Sequence, residues 1–318
     1  MKLLFKTLFL FIFSSIILSG CGYKKTGKFD FDKYHKKRPA SPAVKSIKTY
    51  QTLTDSAHPN SAEMLLSEVE YSVRGLKWKE TYYIPDSGKI DYFTVTNYDN
   101  NGNAIETHTE YPSTHYESTE KNSYDNDKHV LTTDWTRTDG NGQSSGRHDY
   151  KYDSHGKMIK WDVFEKGKFV TCRIYEYIYD DQGRPVESFC KETKNNKDTS
   201  VDCHEKYAYD SITGRESGKI VLIENEVPLE IIESQYDTAG NKILEIQYER
   251  DSIGKLKPDT RIINVFNEYG EVRQSVTFKD NKEQSTSDNT YDDYGHLTQS
   301  KVKDASGIKT TRTVYVFR

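Results

Sequence analysis

The residues of this chain that carry reactive side chains do not gather into a catalytic pattern. His108, His115, His129, His148, His155, His204 and His296 are scattered, and no pair has the spacing of ligands on one helix face. There is no nucleophile elbow, no phosphate-cradling glycine loop and no His-Glu-x-x-His. Each histidine therefore reads as a polar residue on a strand or loop. Asp99, Asn101 and Asn103, and the run Asp139-Gly140-Asn141-Gly142, offer oxygens of the kind calcium takes. They lack the twelve-residue loop with its terminal Glu, and turn formation explains the same residues without a metal. Neither a cofactor nor a metal is expected. The enzymatic alternative is an envelope hydrolase using loop carboxylates, and the expectation is that the chain is not an enzyme.

Thiols are the second chemistry on offer. Cys21 follows an apolar run, and Cys172, Cys190 and Cys203 lie further on. A hairpin turn centred on Asn196-Lys197 sets Cys190 and Cys203 equidistant from the turn, on neighbouring strands. A non-hydrogen-bonded pair spaces its Cα atoms about 4.5 Å apart, near the range a disulfide accepts. The expected bridge is Cys190–Cys203. The rival, Cys172–Cys190, needs a bulge, because a turn at Asp180 to Gly183 sets Cys172 nearly opposite Lys191. The spacings are not those of zinc ligands. Such a bridge staples a hairpin and performs no reaction; Cys172 is left free.

The elements that position these residues repeat. Tyr179-Asp180-Asp181-Gln182-Gly183-Arg184 returns in varied form along most of the chain. Tyr98-Asp99 leads to Gly102, Tyr152-Asp153 to Gly156, Tyr236-Asp237 to Gly240 and Tyr291-Asp292 to Gly295. Tyr209-Asp210 reaches Gly214 with one residue inserted, Tyr124-Asp125 has Lys128 in the glycine slot, and Phe266-Asn267 reaches Gly270. These starts lie on average about 28 residues apart, the signature of a repeat architecture. Asp favours the first position of a turn because its carboxylate accepts bonds from N–H groups just ahead, and Gly supplies the positive φ that closes the turn. Alternation such as Arg173-Ile174-Tyr175-Glu176-Tyr177-Ile178-Tyr179 has the strand period of two. A second, variable turn falls inside each period, for example at Pro112-Ser113, Lys166-Gly167, Asn195-Asn196 and Glu224-Asn225. Two strands per repeat then give an all-β, antiparallel hairpin array. It is expected to form one long twisted or curled sheet, with constant Tyr-Asp turns on one edge and variable loops on the other.

Tyr-Asp-x-x-Gly-Arg turns at this spacing resemble the YD repeats of RHS and teneurin-type proteins, over roughly residues 80–318. Tyr179 to Arg184 fits best; Tyr152 to Lys157 and Tyr236 to Asn241 fit well. The Gly-Arg pair is intact only at Gly183-Arg184 and Gly214-Arg215. The resemblance implies a long β-sheet that can spiral into a shell. It implies structural roles for Tyr98, Asp99, Gly102, Tyr152, Asp153, Gly156, Tyr179, Asp180, Gly183, Tyr236, Asp237, Gly240, Tyr291, Asp292 and Gly295.

The N-terminus gives an address. Lys2 and Lys6 precede an apolar run from Leu8 to Leu18, too short to span a bilayer and of the length of a signal segment. It ends in Leu18-Ser19-Gly20-Cys21, which resembles a bacterial lipobox; an ordinary signal peptide with an incidental Cys is the alternative. The resemblance implies cleavage before Cys21, its acylation, and anchoring in the cell envelope. Gly22, where Asp is absent, resembles cargo sorted to the outer membrane of a Gram-negative host. The expected organisation is a signal peptide over 1–20, lipidated Cys21 and a basic flexible tether over 21–60, a degenerate capping repeat over 61–97 and the repeat domain over 98–318.

The hydrophobic fraction of 34% is low, while 24 residues are Tyr, which fits a thin sheet with Tyr-rich faces. The chain carries −4 overall. Lys2 and Lys6 add +2 and residues 22–60 add +6, leaving −12 for residues 61–318, a balance that speaks against nucleic acid as a partner. Trp78, Trp135 and Trp161 are candidates to stack on a sugar or peptide, with packing into the sheet as the alternative. Together these readings predict a lipid-anchored, non-enzymatic module that presents a β-repeat surface to a protein, peptide or glycan. An accessory or immunity lipoprotein of a secreted toxin system is the alternative.

Overall fold

The computed structural model describes residues 35–54, 62–85, 87–194, 197–223, 227–250 and 254–318. The expected signal segment, Cys21 and the loops at Asn195-Asn196, Glu224-Asn225 and Asp251 lie outside the described residues. Within them every regular element is a strand, and each described pairing is antiparallel. In chain order the strands are β1 (Val44–Thr54), β2 (Met64–Tyr71), β3 (Lys77–Tyr83), β4 (Ile90–Tyr98), β5 (Ala104–Tyr111), β6 (Tyr116–Tyr124), β7 (Val130–Asp139), β8 (Gly142–Tyr152), β9 (Met158–Glu165) and β10 (Lys168–Tyr179). There follow β11 (Pro185–Lys194), β12 (Lys197–Tyr209), β13 (Glu216–Ile223), β14 (Val227–Tyr236), β15 (Lys242–Arg250), β16 (Leu256–Phe266), β17 (Val272–Lys279), β18 (Lys282–Tyr291), β19 (Leu297–Asp304) and β20 (Gly307–Phe317).

The described chain falls into two compact units. One comprises residues 35–38, 178–188 and 204–286; the other comprises 39–177, 189–203 and 287–318. In the first unit β12 to β17 pair in sequence order. Ile220, Leu222 and Ile231 form its buried apolar cluster, with Tyr248 and Leu256 packed against it. Full burial of such a side chain contributes about 1.5–3 kcal/mol, so this cluster is where the first unit gains most from burial.

The second unit corrects two expectations drawn from the sequence. Residues 44–54, read as part of a flexible tether, form β1. It pairs with β2 on one side and with β20 on the other. The Lys-rich composition suggested a solvated spacer, but Val44, Ile47, Thr49, Tyr50 and Thr52 are strand formers, and Lys48 is matched across the ladder by Glu68 at 3.3 Å. Residues 61–97, read as a degenerate capping repeat, contribute β2, β3 and most of β4, and β2 and β3 each have a partner on both sides. The expected long sheet running between two terminal edges is also overturned. The first and last strands of the chain are hydrogen-bonded neighbours, so neither presents a free edge.

Candidate interaction surface

Because consecutive strands are antiparallel, the Tyr-Asp turns lie at one edge of each unit and the variable loops at the other. At the Tyr-Asp edge one hydrogen-bond pattern recurs. The N–H of the Asp-slot residue donates to the carbonyl beyond the turn, as from Asp180 to Arg184 at 2.9 Å, and the N–H of the glycine-slot residue donates back, as from Gly183 to Asp180 at 3.0 Å. The glycine-slot residue has positive φ throughout, including 74° at Gly183 and 68° at Lys128. The Asp side chain fills the turn. Asp180 Oδ1 accepts the N–H groups of Gln182 and Arg184, and Oδ2 accepts Arg184 Nε. Asp99, Asp125, Asp153, Asp237 and Asp292 accept the equivalent N–H pair. The oxygens that suggested calcium at Asp99 and Asp139 are thus turn acceptors.

A turn of the same kind, which sequence reasoning missed, follows Tyr71. Ser72 stands in the Asp slot and accepts the N–H of Leu76 at its Oγ, while Gly75 takes φ 76°. The Tyr71-Ser72-x-x-Gly75 spacing was the signal that could have found it.

Tyr locks each turn to the preceding hairpin. The hydroxyls of Tyr98, Tyr124, Tyr209 and Tyr236 donate to the carbonyls of Lys77, Ala104, Pro185 and Glu216 at 2.5–2.7 Å. The residue after the glycine slot completes the link. Arg184 lies over the Tyr209 ring at 4.3 Å, His129 stacks on Tyr152 at 4.6 Å, and His296 stacks on Tyr315 at 4.5 Å. The His129 and His296 Nδ1 atoms also contact Asp125 and Asp292 at 3.0 and 2.8 Å. Asp125, Asp127 and His129 bring three ligand-type atoms together, but the Asp125 oxygens are already engaged in the turn.

These bonds set the charge state of the turns. At Asp99 the Asn103 N–H outweighs burial and lowers the carboxyl below its usual range. At Asp180 burial opposes ionisation, but the Arg184 N–H and guanidinium and the Gln182 N–H outweigh it, so this carboxyl too is lowered. Asp292 behaves likewise, through burial against the His296 N–H and ring.

The N-terminal segment runs along this edge as a strap. In the first unit His35 Nε2 meets Asn241 Oδ1 at 3.0 Å, and the Lys36 N–H donates to Glu268 at 2.9 Å. Arg38 forms a two-pronged bond with the Glu271 carboxylate at 2.7 and 2.8 Å and lies 4.0 Å over the Tyr269 ring. The turn from Phe266 to Glu271 departs from the motif by carrying Glu where Arg184 stands in its counterpart. The strap supplies the missing guanidinium. In the second unit Ser41 Oγ meets His296 Nε2 at 2.9 Å, and the Arg318 N–H donates to Ala43 at 3.0 Å.

The loop edge is built differently. In the second unit Tyr82 faces Tyr92 across β3 and β4, and Tyr111 faces Tyr116 across β5 and β6. Their rings form one row: Tyr82 to Tyr92 at 4.5 Å, Tyr92 to Tyr111 at 4.9 Å, and Tyr111 edge-on to Tyr116 at 5.5 Å. A bond to Glu80, then burial, raises the Tyr82 hydroxyl, and burial raises Tyr92, so both stay protonated at neutral pH. Beside the row Ile84, Ile90 and, at the end of β1, Leu53 are exposed. The three tryptophans part company. Trp135 is 8% exposed and covers Gly146, its partner across the ladder; a Cβ there would fall 2.4 Å from the indole. Trp161 is half-buried against His148, and Trp78 is exposed, at the Tyr-Asp edge.

Cys190 and Cys203 are disulfide-bonded, stapling β11 to β12. Cys172 is a buried free thiol; burial, then a bond to Asp162, pushes it up to about 11. It is therefore protonated and unreactive at neutral pH.

No family model matches this sequence, and no curated protein matches it. Among solved structures the chain is similar to one in a crystal structure of TcdB2-TccC3-TEV, with a TM-score of 0.38 and 14% identity over 84% of this chain. It spans only 15% of that chain's length. It is also similar to porin-like proteins from Bacteroides uniformis ATCC 8492 (TM-score 0.35, 11% identity, 88% of this chain and 100% of that one) and Bacteroides vulgatus ATCC 8482 (0.25, 13%, 87% and 99%). TM-scores this low carry no function from those proteins to this one.

Proposed function

We propose that this chain is a lipid-anchored protein of the bacterial envelope that presents its loop edge to a protein or peptide partner and catalyses no reaction of its own. The observation that carries this reading is the strap. Residues 35–43 enter along the Tyr-Asp edge in each unit, so the segment leading back to Cys21 leaves from that edge. In the second unit the strands run eight to eleven residues in β2, β1 and β5, about 26–36 Å at 3.3 Å per residue. The loop edge stands that far from the strap. Gly22 in place of Asp supports the outer membrane as the site in a Gram-negative host.

The Tyr82 to Tyr116 row and exposed Ile84 and Ile90 supply the kind of surface that anchors polypeptide interfaces. Stacking occupies most of the ring faces, leaving edges and hydroxyls to a ligand; that suits a polypeptide better than sugar stacking. The test is site-specific photocrosslinking in intact cells, with a benzophenone residue at Ile90 and, as control, at Ile105 on the Tyr-Asp edge. A discrete adduct from position 90, lost on Ile84→Asp, supports the reading. A secreted toxin as the adduct would make the protein its immunity or accessory lipoprotein. A protein adduct from position 105 alone, or a wild-type protein that does not fractionate with membranes, would sink it.

A further inference from the structure

The Tyr-Asp edge of the second unit carries apolar residues that its turn chemistry does not use. Val73, at the tip of the Tyr71 turn, is 89% exposed. Trp78 on β3, Ile105 on β5 and Leu131 on β7 are exposed as well. Each of these three sits one residue past the start of its strand, where the ladder shifts register against the Tyr of the turn. The shift sets a bulge at the same place in three successive hairpins, so the three side chains recur in line along one edge. Exposed Lys128 and Lys157 accompany them, while Arg74 donates to the Asp99 and Asn100 carbonyls and Lys77 pairs with Glu80. The neighbouring acids Asp99, Asp125 and Asp153 are turned inward as turn acceptors, and Asp127 is exposed beside Lys128.

We infer that this edge of the second unit rests in the headgroup region of the bilayer, with Val73, Trp78, Ile105 and Leu131 entering the interface and Lys128 and Lys157 meeting anionic headgroups. The inference rests on the lipid-anchored reading above and deepens it. The chain itself selects a lipid surface over a protein partner here. Nineteen residues separate Cys21 from Ser41, a reach of at most about 70 Å fully extended, and Ser41 lies on this same edge, against His296. An anchor on that short lead holds the edge against the membrane that carries it. Trp with aliphatic neighbours and Lys or Arg is the composition of an interfacial contact.

The experiment uses the full-length acylated protein in vesicles of mixed zwitterionic and anionic lipid, with bromine placed either near the headgroups or deep in the acyl chains. Trp78 is the exposed indole, and Trp78→Phe isolates its share of the emission. The expected result is loss of Trp78 emission with shallow bromine and little loss with deep bromine. A second arm measures flotation of the Cys21→Ala form. Its residual affinity for anionic vesicles should fall by about tenfold when Val73, Ile105 and Leu131 are replaced by Ser, which is about 1.4 kcal/mol. Wild-type protein that floats with vesicles while Trp78 stays unquenched overturns this inference and leaves the anchor standing. Wild-type protein that does not float overturns the anchored reading, and the inference with it.

Discussion

The two edges of the sheet solve the same problem, reversing the chain, by opposite means. At the Tyr-Asp edge every turn spends its polar groups on itself and on its neighbour. Asp180 holds two N–H groups and Arg184; Arg184 covers Tyr209; and Tyr209 bonds back to Pro185. That closed set of bonds fixes residue types, so it produces the repeat. At the loop edge, among the described residues, no such closed set recurs. The rings of Tyr82, Tyr92, Tyr111 and Tyr116 pack on one another, and one hairpin is stapled by Cys190–Cys203. Constancy marks the edge that does structural work, and variability marks the edge free to be specified by something else.

The largest expected effect tests the covalent staple. The bridge closes a loop with a sequence separation of 13 residues, for which chain-entropy arguments give about 3 kcal/mol. Cys190→Ala should lower the urea midpoint accordingly, and Cys203→Ala should match it. A loss well below 1 kcal/mol would mean that the loop edge holds together without its staple.

Next in size is the glycine slot. Gly183 takes φ 74°, where an L residue is strained by about 1–2 kcal/mol. Gly183→Ala should destabilise by about that amount. Lys128 already occupies the same conformation at φ 68°, so Lys128→Gly should stabilise by up to about 1 kcal/mol. Opposite signs at equivalent turns are the diagnostic. The same sign at both would show that local backbone strain does not govern this edge.

The turn carboxylates give a pH signature. Asp99, Asp180 and Asp292 are lowered when folded, against about 3.9 unfolded. The unfolded chain therefore binds more protons in the acid range, and stability rises with pH there. Their contribution is fully present above about pH 4 and is lost as pH falls through the folded values. Asp180→Asn separates charge from geometry. Asn267 already holds the equivalent N–H groups of Tyr269 and Glu271 in its own turn. The substitution should keep the turn while flattening the acid slope of a thermal-melt series; an unchanged slope would place the acid sensitivity elsewhere.

How legible this was in the sequence follows the same division. The Tyr-Asp turns announced themselves because their chemistry is local: donor, acceptor and positive φ fall within six residues. The Cys190–Cys203 pairing followed from symmetry about one turn. What stayed hidden is non-local. Nothing within residues 44–54 says that β1 pairs with β20 at the far end of the chain, and Lys45 and Lys48 made it look like a spacer. The strap was equally silent, although the odd turn at Phe266 to Glu271 marked its seat. Only with Arg38 on Glu271 does that departure from the motif become intelligible. The Tyr row needed register. Tyr111 and Tyr116 flank one loop and read as a pair, but Tyr82 and Tyr92 join them only once β3, β4 and β5 are aligned.

The smallest expected stability effect is the most telling for function. If the loop edge is free of structural duty, Ile84→Asp and Ile90→Asp should leave the unfolding midpoint within about 0.5 kcal/mol of the parent, as exposed surface changes do. Both residues are exposed, and no closed set of turn bonds depends on their side chains. Ile84→Asp should also abolish the adduct photocrosslinked from position 90. A stability loss as large as that of Gly183→Ala would show that the loop edge is as structural as its opposite. The contrast between the edges would then vanish, and with it the reason to look for a partner there.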